Sequence, residues 1–363
     1  MLGTGAYGLA LSLSLAKNKN NEVIMWSENS TIVSEYNQTH RFDRIFEGME
    51  IPSNISITNY YVEALNNTDL IFIGCAAKYV GSLCDSIKSY YDGKTPICIA
   101  SKGIEEQTGS FLSELVKNKL ETENVAVLSG PTFAIDMANG DPIALSLAST
   151  NEFTSKTIQD TLSSDTLKLK ETDDLIGVQI CGSFKNVIAI ASGMIKGLGY
   201  SESTLAFLIN ESLYDIRKFI DALGGEDKTI LEYAGIGDLL LTCTSTKSRN
   251  YSFGYVIGST KDKKKIDEFL HSNTVEGYYA LLSIHKIAKD YNIKLPIIDT
   301  MYDIIINGAD PDTIKEFLFK SIYNDNKDKE IIETYNEQYL NIGKNGFQRV
   351  NFRRHTENKR TEN

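Results

Sequence analysis

The chain opens with a glycine-rich loop of the kind that binds a dinucleotide. Gly3, Gly5 and Gly8 fit the spacing GxGxxG, in which glycines allow a tight turn, close approach of a pyrophosphate and close packing of a helix on a strand. The helical run LALSLSLA follows and would offer its free N–H groups to the anion. Glu28 comes just after a predicted strand at 22–26, where a carboxylate can bind the ribose. The pattern therefore predicts a dinucleotide site.

A lysine is the candidate for exchanging a proton with the substrate, because the four histidines lie in no convincing motif. Lys185 lies in the run CGSFKNVIAIA, an otherwise apolar helix. Burial there would lower its pKa and make it a usable acid and base near neutral pH. A lysine that extends its ammonium group to the helix edge is the structural alternative.

A third cluster combines a carboxylate with a possible phosphate clamp. Asp238 follows Gly235 and Gly237 and precedes three leucines, so its carboxylate needs a partner. The run Ser248–Arg249–Asn250 supplies a cation and hydrogen-bond donors suited to a phosphate. A solvated loop would explain the same run.

The composition of this 363-residue chain excludes several classes of protein. Hydrophobic residues make up 42% and charged residues 23%, which allows a large core. A net charge of −11 disfavours binding to nucleic acid or to an anionic membrane surface. The sequence contains no apolar run of about 18 residues, so it predicts no membrane span. Five scattered cysteines predict neither a disulfide framework nor a metal site, and favour the cytoplasm. The expected partner is a small-molecule substrate, with a homodimer as the protein assembly considered.

A change of pattern near residue 172 predicts two domains. Before it, short apolar runs alternate with helical stretches, which predicts an α/β, Rossmann-like parallel sheet. After it, strands nearly disappear, which predicts an all-helical substrate domain. The predicted domains are 1–172 and 173–325, followed by a C-terminal extension, 326–363, whose last 20 or so residues have the composition of a disordered tail. The predicted parallel strands are 22–26, 69–74, 96–101, 125–128 and 143–148, and the long helices 174–197, 203–223, 275–291 and 300–307.

One part of this fold is short of residues. A Rossmann sheet places a central strand before the glycine loop, and about five residues are needed for it. Only Met1 and Leu2 precede Gly3. We therefore expect the first strand to be missing.

The sequence resembles bacterial NAD(P)-dependent glycerol-3-phosphate dehydrogenase from the glycine loop to about residue 310. The combination of FKNV, GIGDLLLTC and SRN is highly specific, whereas the glycine loop alone is not. The similar segments are GTGAYGLALS, IFEGMEIPSNI, SKGIE, LSGPTFAIDMANGDP, FKNVIAIASG, AGIGDLLLTCTSTKSRNYSFG and VEGYYA.

The resemblance implies reversible hydride transfer between a nicotinamide cofactor and dihydroxyacetone phosphate or sn-glycerol 3-phosphate, for glycerophospholipid synthesis. It implies that Lys185 is the acid and base and that Asp238 positions it or a substrate hydroxyl. The implied substrate-binding residues are Lys102, Gly130, Thr132, Asp238, Ser248, Arg249 and Asn250. The implied cofactor-binding residues are Gly3, Thr4, Gly5, Ala6, Tyr7, Gly8, Glu28, Lys102, Ala134, Arg249, Thr274 and Glu276.

The chain departs from the family pattern at two places. Ala76–Ala77 stands where members usually carry Pro–Ser or Pro–Thr, and Asn210–Glu211–Ser212 stands where Thr–Arg–Gly is expected. Just after the second strand, bacterial members often carry a basic or small polar residue at 27–28, where this chain has Glu28. A carboxylate accepts both ribose hydroxyls of NAD and repels the 2′-phosphate of NADP, so Glu28 predicts NAD in preference to NADP.

Two alternatives stay open from the sequence. One is another two-domain Rossmann dehydrogenase that acts on a hydroxy acid, although SRN resembles a phosphate clamp more than a carboxylate clamp. The other is a decayed nucleotide-binding paralogue without turnover.

Overall fold

Apolar runs in the first half of the chain form a sheet between two apolar layers. The computed structural model describes residues 1–105 and 108–319. One core cluster packs α1 residues such as Leu9 and Leu11 against one face of the sheet, and a second packs Leu112 and Val116 against the other. The strands are β1 Val23–Trp26, β2 Ile55–Thr58, β3 Ile71–Ile73, β4 Ile97–Ile99, β5 Val125–Ser129, β6 Ile143–Ala148 and β7 Leu167–Thr172. The helices among them are α1 Ala6–Leu15, α2 Ser30–Thr39, α3 Tyr61–Leu65, α4 Val80–Ile87, α5 Leu112–Leu120, α6 Ala134–Asn139 and α7 Glu152–Leu162.

The sheet has the order β2-β1, then β3-β4-β5-β6-β7. Leu2 joins the two groups, because it bridges Trp26 of β1 and Ile73 of β3 in parallel. The Rossmann-type domain predicted from the sequence is confirmed, with one correction. The expected parallel strand at 143–148 is wrong in direction, since β6 runs antiparallel to β5. The connection contains only the six-residue helix α6, about 9 Å long, which is too short to carry the chain back along the sheet.

Met1–Gly3 lies between β1 and β3, at the position expected for the first strand of the sheet. Leu2 N donates to Phe72 O at 2.7 Å and Gly3 N donates to Trp26 O at 3.1 Å, so this short segment pairs on both sides. The Met1 amino group donates to Ile24 O, and burial lowers its pKa to about 5. A cavity of about 430 Å³ adjoins Met1, lined by residues from the first parts of β1 and β3 and from their preceding loops.

The second half is helical, as predicted. No strand occurs among the described residues from 173 to 319. The helices are α8 Leu175–Gly197, α9 Glu202–Ala222, α10 Asp238–Cys243, α11 Arg249–Thr260, α12 Lys263–Ser272, α13 Glu276–Asp290, α14 Pro296–Ile305 and α15 Ile314–Phe319. The change from strands to helices falls between Thr172 and Leu175. The predicted extension, 326–363, lies outside the described residues.

The long helix α8 is the centre of this domain. Asp174 caps it, because one carboxylate oxygen accepts from Gly177 N at 2.8 Å and the other accepts from Thr229 Oγ1. α8 is long and apolar enough to cross a membrane, but 94% of its most apolar stretch is buried inside the protein. Such burial is what a core helix shows.

Candidate active site

The glycine loop is built from close backbone contacts. Gly3 has a φ of +125°, and a Cβ there would lie 2.9 Å from Cys75 N, so only glycine fits without strain. A Cβ on Gly8 would lie 2.5 Å from Gly3 O, which keeps α1 close to the loop. Gly5, in contrast, has open space in front of it. The loop therefore leaves room at the start of α1 for a phosphate.

The end of β1 carries the residues predicted to reach the ribose. Thr4 Oγ1 lies 2.9 Å from Ser27 Oγ, which ties the glycine loop to the end of β1. Glu28 is exposed and comes immediately before Asn29, the residue that caps α2. Its carboxylate is therefore open to a ligand that extends along the strand ends.

Two lysines from different domains share one buried carboxylate. Asp238 is the first residue of α10 and is fully buried. Its Oδ1 accepts from Lys185 Nζ at 2.5 Å, and its Oδ2 accepts from Lys102 Nζ at 2.6 Å. Lys185, in the middle of α8, also donates to Thr242 Oγ1 at 3.0 Å. The ammonium group of Lys185 does not extend to solvent, because the residue is only 7% exposed.

Lys102 is placed by the loop that follows β4. Its Nζ donates to Gly130 O at 3.2 Å as well as to Asp238. Desolvation by burial lowers the pKa of Lys102 to about 8, and the nearby Lys185 charge adds to this shift while Asp238 opposes it. Lys102 can therefore exchange a proton closer to neutral pH than an exposed lysine can.

The predicted phosphate clamp lies at the start of α11. Ser248 caps α11, since the Ser248 Oγ accepts from Tyr251 N at 3.3 Å. Arg249 follows and is exposed, and no ion pair joins it to the described residues. Asn250 turns inward, where its Nδ2 donates to Asn186 Oδ1 and its Oδ1 accepts from Gly277 N, both at 2.9 Å. The cap and this amide network fix the backbone on both sides of Arg249.

One cavity of about 390 Å³ brings most of these groups together. Of the residues predicted from the sequence, its walls contain Gly5, Ala6, Tyr7, Lys102, Thr132, Ala134, Lys185, Ser248, Arg249, Asn250, Thr274 and Glu276. The predicted residues outside its walls are Gly3, Thr4, Gly8, Glu28, Gly130 and Asp238. Of these, Asp238 acts on the cavity through the two lysines, and Gly130 through Lys102.

Asn186 and Thr242 also line this cavity and were not predicted from the sequence. Asn186 links the clamp to α13, because its Oδ1 accepts from Asn250 and its Nδ2 donates to Glu276 Oε2 at 3.4 Å. Thr242 accepts from Lys185 and donates to Asp238 O at 2.7 Å. Position gave a signal for both, since Asn186 adjoins Lys185 and Thr242 lies one helical turn after Asp238.

The two departures from the family pattern lie in different surroundings. Ala76 and Ala77 line a small pocket beside Lys102 and Glu276, so this change borders the cleft. In the second departure, Ser212 is buried on α9 and donates to Leu208 O. That run lines none of the cavity described above.

Comparison with known sequences gives one family for both halves of the chain. Residues 1–155 match the profile of the NAD-dependent glycerol-3-phosphate dehydrogenase N-terminus, and residues 174–316 match that of the C-terminus of the same family.

Individual relatives agree with these profiles. The chain is 36% identical over 310 residues to glycerol-3-phosphate dehydrogenase [NAD(P)+] of Staphylococcus carnosus, covering 84% of this chain and 92% of the relative. A crystal structure of glycerol-3-phosphate dehydrogenase from Coxiella burnetii superposes with a TM-score of 0.83 at 32% identity, covering 88% of this chain and 98% of that one. D-mandelate dehydrogenase with NADH shares the fold at a TM-score of 0.58 and 16% identity, covering 87% of this chain and 100% of that one.

Proposed function

Because the chain belongs to the NAD-dependent glycerol-3-phosphate dehydrogenase family, we propose that its cleft reversibly reduces dihydroxyacetone phosphate to sn-glycerol 3-phosphate. The family makes the chain an NAD(P)-dependent oxidoreductase. The substrate, the roles of the residues and the preferred nucleotide are the proposal. The observation that carries it is the Lys102–Asp238–Lys185 cluster, whose two lysines line one cavity together with Gly5 of the glycine loop and Arg249.

The residues of the glycine loop fit a dinucleotide. A Cβ would have no neighbour within 4 Å at Gly5, whereas Gly3 and Gly8 are closed in by backbone. Ala6 and Tyr7 begin a helix without a side-chain cap, so their N–H groups can bind a diphosphate. Ala134, Thr274 and Glu276 line the cavity and would surround the nicotinamide end. When bound, the cofactor supplies the hydride in one direction and accepts it in the other.

Lys185 moves the proton in this proposal. In the reducing direction, its ammonium group donates a proton to the carbonyl oxygen of the substrate, while the hydride adds to the carbon. The neutral amine is then reprotonated from water. Asp238 holds the Lys185 side chain in place, and Lys102 adds a second positive charge beside the oxygen that becomes negative. Fixed positive charges beside the atom on which negative charge develops stabilise the transition state, and this is usually the largest contribution to catalysis.

Arg249 binds the phosphate of the substrate. A guanidinium group donates two parallel hydrogen bonds to a phosphate, and Arg249 lies at the start of the 12-residue helix α11, which favours an anion. Asn250 and Thr132 line the same cavity and hold the rest of the substrate. A phosphate at this end leaves the carbonyl carbon beside the lysines.

The direct test gives the purified protein dihydroxyacetone phosphate with NADH or NADPH. The loss of absorbance of the reduced nicotinamide measures the oxidation. Pyruvate and unphosphorylated dihydroxyacetone serve as comparison substrates. We expect turnover with the phosphorylated ketone and little with either comparison substrate. Faster turnover of a keto acid would favour the hydroxy-acid dehydrogenases, and no turnover at all would favour a decayed paralogue.

We also propose that NAD(H) is the preferred cofactor, because Glu28 is an exposed carboxylate at the end of β1. The nearest lysines along the chain are Lys17 and Lys19, which both follow the far end of α1, where Lys17 donates to Thr166 Oγ1. Glu28→Arg should therefore move the ratio of kcat/KM towards NADPH, by about tenfold for each 1.4 kcal/mol. Glu171→Arg, an exposed change on the edge strand β7, is the matched control. A wild-type enzyme that prefers NADPH would overturn this preference and leave the reaction untouched.

Glycerophospholipid synthesis in the cytoplasm is the proposed setting. All five cysteines are free thiols, which suits a reducing compartment. Cell fractionation tests the location, and loss of phospholipid synthesis on depletion tests the role. A homodimer stays a prediction, which light scattering on the purified protein measures.

A further inference from the structure

Lys247 is a cation beside the phosphate clamp to which the sequence assigned no role. It lies in the loop between α10 and α11, two residues before Arg249, and lines the same cavity as Arg249. Its Nζ lies 3.1 Å from Asp136 Oδ1, in the first turn of α6, and 5.6 Å from the centre of the Phe133 ring. The pair therefore joins the helical domain to the sheet domain at the cavity.

This ion pair can be exchanged at little cost. The Lys247 side chain is 58% exposed and that of Asp136 is 28% exposed, and pairs in such surroundings contribute between nothing and about 1 kcal/mol. A substrate phosphate carries up to two negative charges, whereas Asp136 carries one. The long lysine side chain can turn from the carboxylate to a phosphate without any movement of the backbone.

We propose that Lys247 is a second phosphate-binding cation, which Asp136 holds at the cavity until substrate arrives. The incoming phosphate takes Lys247 from Asp136 and then lies between Lys247 and Arg249. This inference rests on the proposed function and adds a residue that favours a phosphorylated substrate. Asp136 acts on the substrate only through Lys247, for which its carboxylate competes with the phosphate.

The proposal predicts opposite effects for the two partners of the ion pair. Lys247→Ala removes a charge that attracts the phosphate, so KM for dihydroxyacetone phosphate should rise. Asp136→Asn removes the competing carboxylate, so the same KM should fall. A pair that only braces the two domains predicts the same direction for both variants, since either change breaks the brace.

The experiment measures KM and kcat for dihydroxyacetone phosphate in both variants and in Lys264→Ala. Lys264 is an exposed lysine on α12, 3.9 Å from Glu268, and serves as the control. We expect Lys247→Ala to raise KM about 3- to 10-fold and Asp136→Asn to lower it about 2- to 5-fold, as one exposed charge allows. Added salt should shrink both effects. Dihydroxyacetone, which lacks the phosphate, should be affected less.

Inorganic phosphate separates this inference from the proposed function. Its affinity, measured by calorimetry on the same proteins, should fall in Lys247→Ala and rise in Asp136→Asn even if dihydroxyacetone phosphate is not the substrate. Wild-type protein without turnover contradicts the proposed reaction. The role of Lys247 is overturned if the two variants change phosphate affinity in the same direction and also change KM in the same direction. It is also overturned if neither quantity changes in either variant.

Discussion

At the scale of single residues, Asp238 sets the charge of the site. Its two carboxylate oxygens bind Lys102 and Lys185, so two positive charges and one negative charge lie at one wall of the cavity. A buried carboxylate is costly unless it is paired, and each lysine satisfies one oxygen. With both lysines protonated, one positive charge remains in excess, which favours an anionic substrate and the oxyanion that forms during reduction.

Lys185→Met should remove the proton donor while nearly preserving the volume of the side chain. Asp238 keeps Lys102 as its partner in this variant, so the carboxylate is not left alone. We expect kcat to fall by about two to four powers of ten, the usual loss for an acid or base. The affinity for NADH, measured by fluorescence, should stay within a few-fold of the wild-type value. A variant that keeps more than about a tenth of the turnover would show that another group moves the proton.

At the scale of helices and strands, the crossing of α8 and α11 fixes the distance between Lys185 and the phosphate clamp. Gly193 and Gly197 on α8 face Gly254 and Gly258 on α11. A Cβ on Gly193 would overlap the Tyr251 carbonyl oxygen, and one on Gly254 would overlap that of Ile190. The two backbones are therefore in direct contact. Because α8 carries Lys185 and α11 begins at Arg249, this contact holds the two functions in register.

Gly254→Ala should push the two helices apart. We expect a loss of about 1–3 kcal/mol in the free energy of unfolding, typical of overpacking, and a higher KM for the phosphorylated substrate. Gly81→Ala is the matched control, since a Cβ at this position in the first turn of α4 meets its nearest neighbours at 3.6 Å. That change should be neutral or stabilising by up to about 1 kcal/mol. Urea unfolding of both variants tests the difference, and equal stabilities would contradict the proposed contact.

A buried carboxylate makes the stability of the whole molecule depend on pH. Asp215 on α9 is 1% exposed and accepts from Ile297 N at 2.9 Å, at the start of α14. Burial raises its pKa to about 7, against hydrogen bonds from the α14 backbone and the charge of Lys218, which lower it. The folded state therefore holds one more proton than the unfolded state between about pH 4 and pH 7. Raising the pH through this window costs stability.

Asp215→Asn should remove this dependence, because an amide oxygen can still accept from Ile297 N but carries no charge. We expect the variant to be more stable than wild type by about 1–3 kcal/mol at pH 8, with little difference at pH 4. Asp165→Asn, an exposed carboxylate, is the control. Urea unfolding at the two pH values measures the effect. A variant that is less stable at pH 8 would show that the ionised carboxylate is favourable where it lies.

Local pattern determined much of the molecule from its sequence. The glycine spacing predicted the loop at the start of α1, and the alternation of apolar runs with helices predicted the Rossmann-type sheet. The strands β2 and β7 went unpredicted, because both are short of a continuous apolar run. In β7, Lys168 separates the two leucines and Lys170 and Glu171 follow them, and among the described strands this one pairs with β6 alone. An edge strand buries too little to leave a clear apolar pattern.

Tertiary structure decided which of the candidate residues act together. Lys102 and Asp238 are 136 residues apart in sequence, and Lys247 and Asp136 are 111 apart. No local pattern encodes such pairs, because they depend on how the helical domain packs on the sheet. The antiparallel direction of β6 and the contact between α8 and α11 arise in the same way. The sequence determined the residue types and the local elements, whereas packing brought two lysines to one carboxylate and so created the site.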